Sequence, residues 1–225
     1  NQTGSIIAAT GLRLLGAGTF ALNSSGNDVT TLAASLTGGS ISYADANAVT
    51  IGAVLGTNGI TLAQLAGNSV TINAAGGVTF AQPLSAASVM ITTPGSIVSA
   101  GGSGTQIDTS GANGTITLNG ASIGTSTSDR VGINPGSGNA SINANGNIFV
   151  EHTGGDLIAG GRYTRSNTAL GGDIRLSTTD GRIEFGPVSA FAANTADDNI
   201  FIVANGANGH IDHIGAVSWT LNTAP

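Results

Sequence analysis

The residues best suited to metal chemistry lie near the end of the sequence. His210, Asp212 and His213 are its densest group of potential ligands. On a strand, alternation would place His210 and Asp212 on one face and His213 on the other, whereas a metal site needs three or four converging ligands. We therefore interpret all three as solvent-facing side chains and predict no metal site.

A pair of neighbouring carboxylates is the best candidate for catalysis. Asp197 and Asp198 lie in a predicted loop, where two carboxylates could serve as acid and base in a glycosidase or hold Ca²⁺ in a polysaccharide lyase. Adjacent side chains usually point apart, however, and acid pairs in enzymes come from separate strands whose environments split their pKa values. We therefore predict no catalytic residue and no cofactor.

Four arginines are the predicted binding residues. Residues 1–146 carry two Arg and four Asp, whereas residues 147–225 carry four Arg, eight acids and all three His. The arginines of this more charged portion are Arg162, Arg165, Arg175 and Arg182. Because guanidinium groups offer planar donors to carboxylates or sugar hydroxyls, we predict that they contact a host or environmental glycan or a surface receptor. The alternative is that these charges keep one end of the molecule soluble and discourage edge-to-edge stacking.

Short alternating triplets recur along the chain and predict strands. Each has an apolar residue at both ends, as in Val49-Thr50-Ile51. The other nine begin at Ile60, Val70, Val78, Val89, Ile116, Val131, Ile174, Ile183 and Ile200. Period-two alternation places the two apolar residues on one face of a strand and the middle residue on the other. Each triplet is therefore predicted to be a short, half-buried strand.

Tight turns separate the triplets at regular intervals. Asn-Gly and Gly-Gly pairs, such as those that begin at Asn58 and Gly76, supply the positive φ that turns require. Strand starts follow one another about nine residues apart, which also fits a sandwich or a barrel. The shortness and mutual similarity of the strands favour a parallel β-helix, in which equivalent residues stack as ladders. We predict one all-β solenoid over residues 1–225, with roughly 8 to 12 coils of roughly 19 to 28 residues.

Composition excludes several classes of protein. Charged residues make up 8% of the chain, against about 25% in ordinary domains, so helices with charged outer faces are not expected. The Ala-rich stretch 188–196 lacks clear caps, and we predict a loop or a single helical turn there. A net charge of −6 with scattered Arg argues against nucleic acid. No apolar run reaches the roughly 18 residues of a membrane helix, so we predict no membrane insertion.

The sequence resembles a known family of strand repeats. The run from Thr31 to Thr61, TLAASLTGGSISYADANAVTIGAVLGTNGIT, is similar to the repeats of filamentous-haemagglutinin-type exoproteins of two-partner secretion and of autotransporter passengers. A similar pattern, GGDIRLSTTDGRIEFG, recurs at 171–186. The resemblance implies a right-handed parallel β-helix, export through an outer-membrane transporter and a surface filament used for attachment. The family's secretion domain carries an Asn-Pro-Asn-Gly motif that we do not find, so we expect shaft or distal passenger.

A structural or adhesive role follows from these patterns. We expect a non-catalytic shaft segment of a large secreted protein on the bacterial cell surface, which contacts its transporter through parts outside this segment. One alternative is a polysaccharide lyase or hydrolase on a β-helix, with its acids clustered within 151–213. The other is a phage tail or S-layer structural protein, because such proteins have a similar composition.

We expect the stability of the protein to be independent of metal ions and of reductant, because the sequence has no cysteine and no complete ligand set. Thermal melts recorded with and without EDTA and DTT should overlay. A fall in Tm of more than about 10 °C with either additive would contradict this expectation, since 1 kcal/mol corresponds to about 2–4 °C for a chain of this size.

Overall fold

The computed structural model describes residues 1–4, 6–101, 104–126, 128–155, 157–158, 163–167, 174–179, 182–185, 190–192 and 200–213. All regular secondary structure in these ranges is β, which confirms the predicted all-β class for this part of the chain. The strands are β1 (Ala8–Ala17), β2 (Phe20–Leu22), β3 (Asp28–Gly38), β4 (Ile41–Asp45), β5 (Val49–Ile51), β6 (Ala53–Val54), β7 (Thr57–Asn58), β8 (Ile60–Leu62), β9 (Ser69–Ala74), β10 (Val78–Phe80), β11 (Leu84–Ser85), β12 (Ser88–Thr92), β13 (Ile97–Ser99), β14 (Ile107–Asp108), β15 (Thr115–Gly120), β16 (Val131–Asn134), β17 (Asn139–Ala144), β18 (Ile148–His152), β19 (Leu157–Ile158), β20 (Tyr163–Asn167), β21 (Ile174–Thr178), β22 (Ile183–Phe185), β23 (Ala190–Ala192), β24 (Ile200–Val203) and β25 (Ile211–His213).

All of the apolar triplets found in the sequence lie in strands. β5, β8, β10 and β22 each consist of one triplet, and longer strands contain the rest. In β8, Ile60 and Leu62 are buried while Thr61 is exposed. The same alternation of buried and accessible residues occurs in β9, β10 and β12. The predicted strands and the predicted inward side chains are therefore confirmed at these positions.

The strands form three sheets with parallel pairing and one small hairpin. The first sheet has 12 strands in the order β13-β10-β5-β3-β8-β11-β14-β16-β18-β21-β24, with β1 paired to β3. The second has 8 strands in the order β2-β4-β9-β12-β15-β17-β20-β23, and the third has the order β19-β22-β25. Among the described strands, only β6 and β7 pair in an antiparallel way. Because parallel strands cannot be joined by tight hairpins, strands that pair in parallel are connected by longer crossovers.

The chain visits these sheets in a repeating order. From β19 to β25 it runs through the third, the 8-stranded and the 12-stranded sheet twice and then enters the third again. Register partners in the 8-stranded sheet lie 19 to 29 residues apart, the extremes being Val70 with Val89 and Ile41 with Val70. This period is close to the repeat length expected from the sequence.

Buried aliphatic side chains form columns that run across the strands. One column of the 8-stranded sheet contains the register partners Ile41, Val70, Val89, Ile116 and Ala140, each at most 2% exposed. Each side chain packs on its equivalent in the next strand, so apolar surface is removed from water along the whole column. Full burial of one such Val or Ile contributes about 1.5–3 kcal/mol.

Glycine is required where the chain turns between sheets. A Cβ atom on Gly95 would overlap the carbonyl oxygen of Gly76, and one on Gly114 would overlap the carbonyl oxygen of Ala87. In both places backbone approaches backbone, so neither side can move without disturbing the parallel ladder beside it. The high glycine content therefore reflects close stacking of corners as well as the φ angles of turns.

The hairpin β6–β7 was not expected from the sequence, since strands of two residues are too short to show alternation. Its turn residues Leu55 and Gly56 have φ of 49° and 83°, as tight hairpins favour.

The prediction of a loop or helical turn at 188–196 is wrong in its described part, because Ala190–Ala192 form β23. There, pairing with β20 outweighs the low strand propensity of Ala.

A buried acid at the end of β4 interrupts the apolar interior. Asp45 is 3% exposed. Its carboxylate accepts hydrogen bonds from the backbone N–H groups of Val29 (3.0 Å) and Asn47 (2.8 Å) and from the hydroxyl of Tyr43. Burial, this hydrogen bond and the neighbouring charge raise the pKa of Tyr43 above its ordinary value of 10.0. The acid tolerates burial because its oxygens are hydrogen-bonded.

Substitutions on the two sides of β15 should differ sharply in their effect on stability. Ile116→Asp places an unpaired charge in a column where Ile116 is 0% exposed, and we expect it to destabilise the fold by about 4 kcal/mol or more. Thr117→Asp adds the same charge to the half-buried outward side, and we expect a loss below about 1 kcal/mol. Urea unfolding of both variants measures the difference; equal losses would show that the register is wrong.

Stability should also fall as the pH rises above about 10, because the unfolded chain then releases the Tyr43 proton while the folded protein retains it. The chain has no Lys and no Cys, so its tyrosines dominate titration in this range. Tyr43→Phe should lower the free energy of unfolding at neutral pH by about 1 kcal/mol. Between about pH 9 and 11, however, the stability of the variant should fall less than that of the wild type. Urea unfolding at both pH values tests this, and parallel declines of wild type and variant would refute it.

Candidate functional site

The structure distributes the predicted binding arginines over different sheets. Arg165 belongs to β20 of the 8-stranded sheet, and Arg175 belongs to β21 of the 12-stranded sheet. Arg182 is half-buried and directly precedes β22 of the third sheet. Arg162 lies outside the described residues. The three described arginines therefore do not share a sheet.

Arg175 lies between two aromatic residues in the strand ladder. Its register partners are Phe149 of β18 and Phe201 of β24. Phe149 is 5% exposed, whereas Phe201 is 41% exposed. The Arg175 side chain is half-buried, and its Nε atom is buried without a hydrogen-bond partner. Arg175 is thus placed next to an exposed ring, that of Phe201.

An ion pair lies on the same side of this sheet. Nη2 of Arg130 is 3.0 Å from Oε1 of Glu151, and the two side chains are 21% and 7% exposed. Glu151 lies in β18 two residues after Phe149, so both project from the same face of the strand. Its register partners are Gly132 and Ser177. The pair places a buried carboxylate next to the strand that carries Arg175.

A short segment before β16 brings Arg130 over the sheet. The hydroxyl of Thr125 donates a hydrogen bond to the carboxylate of Asp129, and the Asp129 backbone N–H donates to the Ser126 carbonyl at 3.2 Å. Gly124 has a φ of +71° and lies against β18, where a Cβ atom would be 2.7 Å from the carbonyl oxygen of Phe149. Glycine is therefore needed for the segment to approach the strand closely enough for the ion pair.

Several buried polar atoms near this ion pair have no hydrogen-bond partner. In the described part of the chain these include Oγ of Ser177 and Oδ1 of Asp129. Native structures leave few buried polar atoms unpaired, so their grouping marks a place that differs from an ordinary sheet surface. Little in the sequence points to this cluster, because Arg130 and Glu151 are 21 residues apart. The available signal was that Arg130 directly precedes one alternating triplet and Glu151 directly follows an apolar run.

The residues that we considered as metal ligands and as an acid pair, and for which we predicted neither role, fall in different parts of the structure. His210 is exposed, and its Nδ1 atom lies 2.9 Å from the carbonyl oxygen of Asn208. Among the residues that the structure describes, no group of three or more His, Asp or Glu side chains could hold a metal ion. Asp197 and Asp198 lie outside the described residues.

Five strands of the 8-stranded sheet carry an uncharged surface on their outward side, which we call the neutral face. Its side chains project from β4, β9, β12, β15 and β17, and none of them is charged. They are Ser42, Ala44, Ser69, Thr71, Asn73, Ser88, Met90, Thr92, Thr115, Thr117, Asn119, Asn139, Ser141 and Asn143. A ligand on this surface would meet hydroxyl, amide and methyl groups instead of charges.

Two shallow concavities lie on or beside the neutral face. The first has a volume of about 250 Å³ and spans β9, β12 and β15 around Met90. The second has a volume of about 220 Å³ and lies at the adjoining corner, where Asn119 and Asn143 meet Thr93 and Pro94. Both are lined by uncharged residues.

The chain matches no protein-family model, no curated protein and no solved structure in comparisons with known proteins. None of the described residues forms a helix with the length and hydropathy needed to cross a membrane.

Removing one member of the ion pair should destabilise the protein more than removing an exposed arginine. Arg130→Ala would leave the Glu151 carboxylate buried beside the sheet, and we expect a loss of about 3 kcal/mol. Arg13→Ala is the matched control, because Arg13 is exposed and donates one hydrogen bond to the Leu55 carbonyl; its loss should stay below about 1 kcal/mol.

A second change separates lost charge pairing from lost packing. Adding Glu151→Gln to Arg130→Ala removes the unpaired charge, so it should recover about 1 kcal/mol or more. Chemical unfolding of the single and double variants gives these differences. Additive losses would contradict a direct interaction between the two side chains.

Proposed function

We propose that the chain is a right-handed parallel β-helix that forms part of the shaft of a secreted bacterial surface protein. The observation that carries this proposal is the repeated order of parallel sheets, with register partners 19 to 29 residues apart. A chain that returns to each sheet one strand further along winds around a common interior. The right hand is the one that parallel crossovers adopt in nearly all proteins.

A shaft of this kind would extend by simple repetition. Each coil contacts its two neighbours, so backbone ladders and aliphatic columns continue without a size limit. The 8 strands of the second sheet, at about 4.8 Å each, correspond to a rod of about 35 to 40 Å. Small-angle X-ray scattering should give the profile of a rod whose length grows with added repeats. A compact spherical profile would refute the proposal.

The surface fits attachment or support better than catalysis. The Glu151 carboxylate is already paired with Arg130, so it is poorly placed to act as a free acid or base. The concavities around Met90 and Asn119 are lined by uncharged residues. The resemblance of residues 31–61 to filamentous-haemagglutinin-type and autotransporter repeats supports export to the cell surface. An adhesive or structural role, with no enzyme activity, is the function that we propose.

Binding by the charged portion is tested by changing Arg162, Arg165, Arg175 and Arg182 together to Gln. If these arginines recognise an acidic glycan or a receptor, binding to glycan arrays and host cells should fall at least about tenfold. The matched control changes Arg13 to Gln on a different part of the chain. Unchanged binding in the fourfold variant would remove the arginines from the proposed function. Reproducible cleavage of acidic polysaccharides by the wild type would overturn the non-enzymatic role.

A further inference from the structure

The neutral face has polar groups that the protein itself leaves unused. The side-chain hydroxyls of Thr71, Ser88, Thr115 and Thr117 make no hydrogen bond within the described part of the chain. All four line the concavity of about 250 Å³. Hydroxyl groups both donate and accept hydrogen bonds, so these positions can pair with another hydroxyl in either sense. The concavity thus offers several adaptable polar contacts and no charge.

Met90 supplies the apolar contact at the same place. It is 46% exposed, although the register partners on either side are the small polar residues Thr71 and Thr117. The flexible, polarizable thioether adapts its shape to an irregular partner. An exposed Met among threonines therefore gives a patch that is apolar at its centre and hydroxylated around it.

We propose that the neutral face binds an uncharged hexose polymer, with a sugar ring seated in the concavity around Met90. A pyranose ring combines a C–H face, which would pack on the Met90 thioether, with hydroxyls, which would exchange hydrogen bonds with the four free hydroxyls. The absence of charged side chains on this face excludes electrostatic attraction of uronic acids or sulfated sugars. The proposal rests on the proposed function, because it assigns the adhesive partner to one side of the shaft.

Outward side chains recur at regular spacing along the sheet, which favours binding of a polymer over binding of a single sugar. Equivalent outward side chains recur in each strand from β4 to β17, at about 4.8 Å per strand. One ring in a shallow concavity binds weakly, whereas successive rings of one chain raise the effective local concentration of the next. Affinity should therefore rise steeply with the number of sugar units.

The test measures binding of two soluble neutral polymers, hydroxyethyl cellulose and a mannan, with polygalacturonate as the acidic comparison. Wild type should bind at least one neutral polymer with an affinity that changes less than about twofold in 0.5 M NaCl. Met90→Ala and Thr117→Glu should each weaken this binding about tenfold. Thr61→Glu is the matched control, since Thr61 is an exposed middle residue on the 12-stranded sheet, and it should bind like wild type.

The outcomes separate this proposal from the proposed function. Failure to bind either neutral polymer, in a protein that still scatters as a rod, overturns the assignment of the neutral face alone. Loss of the rod profile in the wild type overturns the shaft itself. Self-association that Thr117→Glu abolishes, without neutral-polymer binding, assigns the face to a second copy and also overturns the proposal. Equal weakening by Thr61→Glu would show that the effect is not specific to this face.

Discussion

The parallel backbone ladder, which holds each strand in register with its equivalent one repeat later, is the constraint on which the other features depend. It stacks Ile116 on Val89 and Ala140 and so makes the aliphatic column continuous. The same register sets Thr117 beside Met90 on the outside. A shift of one residue would exchange the two sides of every strand. The dry interior and the neutral face are therefore two consequences of a single alignment.

Because the interior and the backbone provide the stability, the outer surface is free to differ from one sheet to another. The neutral face on β4, β9, β12, β15 and β17 presents uncharged side chains, whereas the 12-stranded sheet carries the Arg130–Glu151 pair near β21. Gly124 leaves room for the segment that carries Arg130 to lie close to β18. The two surfaces differ chemically, since one offers hydroxyl groups and the other charges. Their separation on different sheets allows each to be changed without disturbing the other.

Polar groups in the buried interior have a role that aliphatic columns cannot fill. A column of Val and Ile packs equally well on any strand with the same alternation. It therefore determines which side of a strand is buried but not which strands pair. Asp45 accepts hydrogen bonds from Val29 and Asn47, which lie at fixed positions along the chain. A misaligned strand would leave that acid buried without partners, at a cost of several kcal/mol. Such a residue penalises the wrong alignment more than it stabilises the right one.

The sequence by itself determined the local pattern: the triplets, their inward residues and the all-β class, because alternation is a property of neighbouring residues. Only the tertiary structure decided which strands pair, that Ala190–Ala192 join a sheet, and that Gly95 must lack a side chain beside Gly76. It also separated Arg165 from Arg175 and joined Arg130 to Glu151. The reason is that the sequence separation between register partners in the 8-stranded sheet varies from 19 to 29 residues. Contacts between repeats therefore depend on how the loops distribute their length, which no local pattern records.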